Sequence, residues 1–241
     1  MAFRHSPSID RKNLVTFLDP ANLSKYKNDG TNWNSWFPKN QQIVGVNTPT
    51  YNSSTNKGAW ELDGDGSSGS YFDNLEDVGL NDNFWVNNWS FGIWVRFDTL
   101  STSAFGSADK PIIHHGRPSG DQGLHLCQRN TRVHFGLYGN DSQTVDPIET
   151  NKWYNIVWTL DNLVTNNKQI FVNGEKKALN VINPEDTYAP VGTFNNTTLG
   201  EHLLFGTNRF DGDIGLFWAY NVVLHPNVIE KNYEAFKGRY Q

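Results

Sequence analysis

The chain has 241 residues, a net charge of −5 and 14% aromatic residues, nine tryptophans among its large side chains. Its length suits one large all-β domain or two small ones, and one is favoured because no Pro/Gly/Ser linker divides it; no cluster of basic residues suits nucleic acid, and no run of about 18 apolar residues would cross a membrane. A single cysteine, Cys127, excludes an intramolecular disulfide framework, and Met1 to Pro7 lack the apolar stretch of a signal peptide.

Residues 1–13 are polar and carry Pro7, which predicts an N-terminal arm ahead of one domain over 14–241. Leu14 to Leu18 is the first strand, ended by Asp19-Pro20-Ala21-Asn22. From Asn28 to Ser54, Asn, Gly, Pro and Ser predict a long loop with short strands. Trp60 and Leu62 mark a strand that stops at Asp63-Gly64-Asp65-Gly66, and a second loop runs through Ser67 to Ser70. Phe91, Ile93, Val95 and Phe97 alternate with Gly92, Trp94 and Arg96, the clearest strand of the chain. Ile112 to Gly116 is a short strand. Leu124 to Gln128 and Val133 to Tyr138 form a hairpin about Arg129-Asn130-Thr131, with His134, Gly136 and Tyr138 opposite Val133, Phe135 and Leu137. Trp153 to Leu160 is another strong strand. Gln169 to Val172 and Glu175 to Ala178 flank Asn173-Gly174, the strongest hairpin signal present. Thr198 to Phe205 is a further strand.

The chain then closes on a turn at Phe210 to Asp213 and a strand from Ile214 to Tyr220, with Ile214, Leu216, Trp218 and Tyr220 on one face. Pro226 opens a helix whose stripe is Ile229, Tyr233 and Phe236, and Gly238 marks its end. About a dozen strands and one helix predict an antiparallel two-sheet jelly-roll sandwich.

Two ordered sets of residues carry a resemblance. The first is Leu14-Val15, Leu18-Asp19, Ala21-Asn22, Ser24, Tyr26, Gly30-Thr31 and Trp33. The second is Phe210, Gly212, Ile214, Tyr220-Asn221, Leu224, Ile229, Asn232-Tyr233 and Lys237-Gly238-Arg239-Tyr240. Together they resemble the laminin-G-like, concanavalin A-like lectin-glucanase domains found in virion structural proteins of tailed phages. The resemblance implies a capsid decoration protein or head or tail appendage. It would be made in the host cytoplasm, anchored by its arm to other virion proteins as a homo-oligomer, and would touch host-surface glycans. His225 stands where the family has Ser or Thr, a departure expected to weaken the helix cap by about 1 kcal/mol.

Glucanases of the family that the chain resembles use two glutamates on one strand face, one to attack and one to donate a proton. Glu61, Asp63 and Asp65 are the nearest approach, but the second glutamate is missing and Gly64 and Gly66 break the strand. The reading is therefore non-enzymatic; the alternative is a free carbohydrate-binding module or a β-glucanase-like enzyme using Glu61. Asp63 and Asp65 between glycines offer hard oxygen ligands, and the resemblance adds the expectation of Ca²⁺ there; Asp211 and Asp213 offer the same. The competing explanation is turn-forming aspartates. His114 and His115, adjacent on a strand, point to opposite faces, while His125 and His134 come near each other across the hairpin. With no HxH or HExxH spacing they read as ordinary strand histidines. Trp33, Trp36, Tyr51, Tyr71, Trp85 and Trp89 stand among Asn, Asp and Ser, either as a sugar-facing rim or as packing over the core edges.

Overall fold

The computed structural model describes residues 9–21, 32–38, 41–52, 58–64, 66–116, 123–161, 167–182, 196–202 and 207–241. In chain order the first strands are β1 (Leu14–Leu18), β2 (Trp33–Asn34), β3 (Gln42–Val46), β4 (Thr50–Asn52), β5 (Ala59–Asp63) and β6 (Tyr71–Asp73). A one-turn helix, α1 (Asp82–Trp85), precedes β7 (Trp89–Phe97), β8 (Lys110–Gly116), β9 (Gly123–Arg129), β10 (Arg132–Gly136) and β11 (Asp141–Thr144). The rest are β12 (Trp153–Asp161), β13 (Asn167–Val172), β14 (Glu175–Lys176), β15 (Leu179–Val181), β16 (Thr197–Leu199), β17 (Asp211–Tyr220) and the closing helix α2 (Pro226–Tyr240). The strands outnumber the expected dozen because pairs such as β2 and β14 are too short to leave a periodic pattern.

Two antiparallel sheets result. One runs β14-β13-β12-β7-β17-β5-β4, with β1 also paired to β17; the other runs β15-β11-β10-β9-β8-β16-β6-β3-β2. Between them lies one apolar core, to which β7 contributes Phe91, Ile93, Val95 and Phe97, and β9 and β10 contribute Leu124, Leu126, Val133 and Phe135. The Asn173-Gly174 hairpin forms as expected, both residues taking the positive φ that a tight two-residue turn requires, 54° and 82°.

A second apolar cluster covers the outer face of the eight-stranded sheet. Leu216, Trp218 and Tyr220 of β17 and Trp94 of β7 pack beneath Ile229, Phe236 and Tyr240 of α2. Ile214 does not join them. A register shift between Ile214 and Phe217 turns Ile214 inward to the main core with Phe217 and Ala219. The helix also runs past Gly238 to Tyr240, whose ring stacks on Trp94 at 4.7 Å and 21°. The Leu216 N–H donates to the Tyr240 hydroxyl at 3.0 Å, so packing of the last turn outweighs the glycine stop. His225 does cap this helix, its Nδ1 accepting from the Asn227 N–H at 3.3 Å. Of the predicted arm, residues 1–8 lie outside the described residues; Ile9 is buried against this cluster.

Candidate functional site

Because Leu124, Leu126, Val133 and Phe135 enter the core, the alternation of β9 and β10 puts His125, Cys127, Arg129, His134 and Gly136 on the outer face of the nine-stranded sheet. Register extends this into a row across five strands. Thr198, His114, His125, Gly136 and Asp141 are successive partners from β16 to β11. A Cβ on Gly136 would stand 1.9 Å from His125 Nε2, so only glycine lets the imidazole lie across β10. In that position His125 Nε2 is 3.5 Å from Asp141 Oδ1. His134 stacks on His125 with centroids 5.2 Å apart, and its Nε2 is 3.6 Å from Asp141 Oδ2.

Two loops roof this face. Gln128, on the other side of β9, anchors the root of the first loop: its side-chain oxygen accepts the Ser101 N–H at 2.6 Å and its amide donates to the Ser101 carbonyl at 2.8 Å. Arg129 donates to both Asp109 oxygens, from Nε at 2.7 Å and Nη2 at 2.6 Å, and the Cys127 thiol donates to the same carboxylate at 3.3 Å. Asn208 ties the second loop to the first through the Gly106 carbonyl at 2.9 Å. Between loops and sheet is a cavity of about 220 Å³ lined by Gly106, His125, Arg129, Tyr138, Gly139, Asp141 and His202. Tyr138 is held at a φ of 55°, a conformation uncommon for a bulky side chain, and Phe105, the neighbour of Gly106, is 77% exposed.

Burial sets the protonation of this face. It pushes His134 down to about 4 against the pull of Asp141, and His202 down to about 3 with help from His125. His114 is lowered by burial and then by its neighbours His202, His125 and His115. For Asp141 burial acts upward, but the facing imidazoles of His125 and His134 outweigh it and hold the carboxyl below the usual range. His134 and His202 are therefore neutral near neutral pH, beside an ionised Asp141.

The residues singled out by sequence fare differently. His125 and His134 do meet, and His114 and His115 do diverge: His115 turns to Thr197 and Trp85, whereas the His114 ring faces His202 at 4.5 Å. Asp141 escapes sequence reasoning, since Asp141-Ser142-Gln143-Thr144 has no apolar alternation to mark a strand. Glu61 and Asp63 share the exposed side of β5, facing Asp213 and Asp211 across the ladder. Asp213 is buried against Arg96, with Nε at 2.6 Å, and Asp211 accepts from the Thr99 hydroxyl. Asp63 Oδ1 accepts the Ser70 N–H at 2.8 Å and so holds the turn; Asp65 lies outside the described residues. Trp33, Trp85 and Trp89 are fully buried core, and Tyr51 is tied to the Pro20 carbonyl at 2.7 Å. Trp36 and Tyr71 instead lie under Arg11 and Arg209 at 4.7 and 4.8 Å. A wider cleft of about 460 Å³ between α2 and the β13–β14 hairpin is lined by Tyr233, Tyr154 and charged pairs such as Lys237–Glu234. It gathers no buried polar atoms comparable to the histidine row.

The family model described as concanavalin A-like lectin/glucanases superfamily matches residues 65–230. Among curated proteins no sequence matches. Among solved structures, the sialidase of Trypanosoma rangeli in complex with sialic acid superposes with a TM-score of 0.64 at 16% identity, covering 96% of this chain and 34% of the sialidase. The binding domain of botulinum neurotoxin serotype D/C superposes with a TM-score of 0.65 at 14% identity, covering 93% of this chain and 52% of that one. A botulinum neurotoxin type C structure, whose title ties cell entry to two ganglioside molecules, gives 0.64 at 14% identity over 93% of this chain and 51% of that chain. The chain thus spans about a third of the sialidase and half of the toxin fragments, and at these identities the likeness is one of fold.

Proposed function

The chain belongs to the concanavalin A-like lectin/glucanase superfamily, and on that premise we propose that it is a non-enzymatic, glycan-binding structural protein of a tailed-phage particle. The observation that supports binding is the cavity on the outer face of the nine-stranded sheet. It presents a guanidinium, a carboxylate and two imidazoles to a space of about 220 Å³, bordered by Tyr138 and by the loop of the exposed Phe105. A sugar needs this combination, an aromatic surface for its C–H face and fixed polar groups for its hydroxyls. Ganglioside binding by a toxin of the same fold agrees with it. The phage assignment rests on the resemblance of the chain's opening and closing segments, and so does a Ca²⁺ ion at Asp63 and Asp65. If neither EDTA nor added Ca²⁺ changes the melting temperature, that ion is absent.

The test is a glycan array followed by calorimetry on the best ligand. Tyr138→Ala is expected to weaken binding about tenfold, the loss of one aromatic contact. An empty array, or affinity indifferent to both Tyr138→Ala and Phe105→Ala, sinks the glycan reading. Immunogold labelling of purified particles tests the location. Label on the head means decoration, label on the tail means host attachment, and no label means a free carbohydrate-binding module.

A further inference from the structure

His125 Nε2, His134 Nε2 and Asp141 Oδ1 are all buried, all lack a hydrogen-bond partner, and all converge at one point. Leaving such atoms unpartnered costs about 1–3 kcal/mol each, so three in one place call for an explanation. From the geometry we propose that His125, His134 and Asp141 hold a divalent transition-metal ion, zinc foremost, on the floor of the cavity. The inference does not rest on glycan binding and stands or falls separately.

Spacing supports it first. Ligands bound at about 2.0–2.1 Å in a tetrahedron stand about 3.4 Å apart. His125 Nε2 is 3.5 Å from Asp141 Oδ1, and His134 Nε2 is 3.6 Å from Asp141 Oδ2; the candidate ligand atoms of all three residues lie within 4.8 Å of one another. These separations are long for direct hydrogen bonds and short enough to bridge by one ion. Orientation supports it next. His125 Nδ1 faces the Gly123 carbonyl at 3.3 Å, the outer contact that directs an imidazole's lone pair to Nε2. Gly136 keeps open the space through which that nitrogen reaches β11. His134 Nδ1 has no such partner, so the stacked His125 ring fixes its orientation.

Charge is compatible. Arg129 Nη1 donates to Asp141 Oδ2 at 3.4 Å while its Nε and Nη2 are held by Asp109, so Asp141 Oδ1 is the oxygen left without a hydrogen bond and open to a cation. Two imidazoles and one carboxylate favour zinc or a neighbouring first-row metal over Ca²⁺, which takes oxygen ligands. His125 and Asp141 also line the cavity, so the remaining coordination position opens toward Tyr138 and His202 and admits a water or ligand oxygen.

The experiment uses the full chain stripped with EDTA and dialysed. Titration with Co²⁺ is expected to give visible absorption of a four-coordinate site saturating near one ion per chain; Zn²⁺ should abolish that absorption and raise the melting temperature. His134→Gln and Asp141→Asn should each weaken Zn²⁺ binding by more than about a hundredfold, since loss of an outer-shell partner alone costs about 10–100-fold. His225→Gln, at the exposed helix cap, should leave it unchanged. Melting in EDTA establishes that each variant is folded, and either ligand variant suffices if the other is not. Absence of both the Co²⁺ absorption and the Zn²⁺-dependent shift would mean that water alone fills the site. Full binding by a folded ligand variant would place the ion elsewhere; either result overturns the proposal.

Discussion

The sandwich has two outer faces, and they are covered in opposite ways. On the eight-stranded sheet, a helix lays Tyr233 and Tyr240 onto Trp94, and Trp153 closes over Tyr240 at 4.7 Å. On the nine-stranded sheet, loops close over imidazoles, a carboxylate and a guanidinium. The first face leaves the indole N–H groups of Trp94 and Trp218 unpartnered, donors scattered through a hydrocarbon layer. The second leaves the acceptor-capable atoms of His114, His125, His134 and Asp141 unpartnered and adjacent. A fold gains nothing from such a cluster, because apolar residues of similar size would cover the sheet at less cost. The helix-covered face is thus the stabilising one, and the histidine face is the one to which binding is proposed.

Removing the aromatic lid should show this most strongly. Tyr240→Ala deletes two ring stacks and the hydroxyl that receives the Leu216 N–H, and should cost about 3–5 kcal/mol in urea unfolding. Affinity for glycan or Zn²⁺ in the surviving folded fraction should not change. A loss of binding as large as the loss of stability would mean that the two faces are coupled, and the division drawn here would fail.

The next effect is smaller and belongs to the nine-stranded sheet, on the side opposite the histidine row. His115 sits where the sheet meets Trp85, with Nδ1 2.9 Å from Thr197 Oγ1 and Nε2 3.2 Å from Asp82 Oδ1. Burial pushes it down to about 4 from an ordinary 6.5, and Asp82 recovers only part of that. Between those values the unfolded chain binds the proton and the folded chain does not. Stability is therefore complete above about pH 6.5 and falls toward pH 4, by roughly 1.4 kcal/mol per pH unit within that window for this group. Thermal melts of wild type and His115→Gln across the window should show a shallower decline in the variant. Parallel curves would assign the acid sensitivity to other groups.

Legibility in the sequence follows the same division. Strands with apolar alternation, such as β7, β12 and the β13–β14 hairpin, declare themselves, because one face of each must be buried. The closing strand declares itself too, but not its register shift: Ile214 and Leu216 read as one face until the shift separates them. The approach of His125 to His134 is readable, since both lie on one short hairpin. Asp141 is not, because β11 is Asp-Ser-Gln-Thr and only pairing to β10 brings it there. Gly136 likewise reads as a plain strand residue; its purpose appears only when the His125 ring is seen across it.

The smallest expected effect tests the helix side of the comparison at the acidic group around Glu61. Glu61 is exposed and stands across the ladder from Asp213, a buried carboxyl raised first by burial and further by Asp98 and Glu61. Arg96 offsets this only in part, and Asp213 Oδ1 has no hydrogen-bond partner. Glu61→Gln removes one repelling charge from a surface position, so the change in stability should be a slight gain within about 0.5 kcal/mol. Glycan affinity should be untouched, because the patch and the cavity lie on opposite sheets. The same variant examines the rival function: if the wild type hydrolyses a β-glucan and Glu61→Gln does not, chemistry belongs to the eight-stranded sheet. In that case a face assigned here to stability would be the active one. Unchanged glycan binding with no hydrolysis by either protein would leave the histidine face as the place where ligands are met.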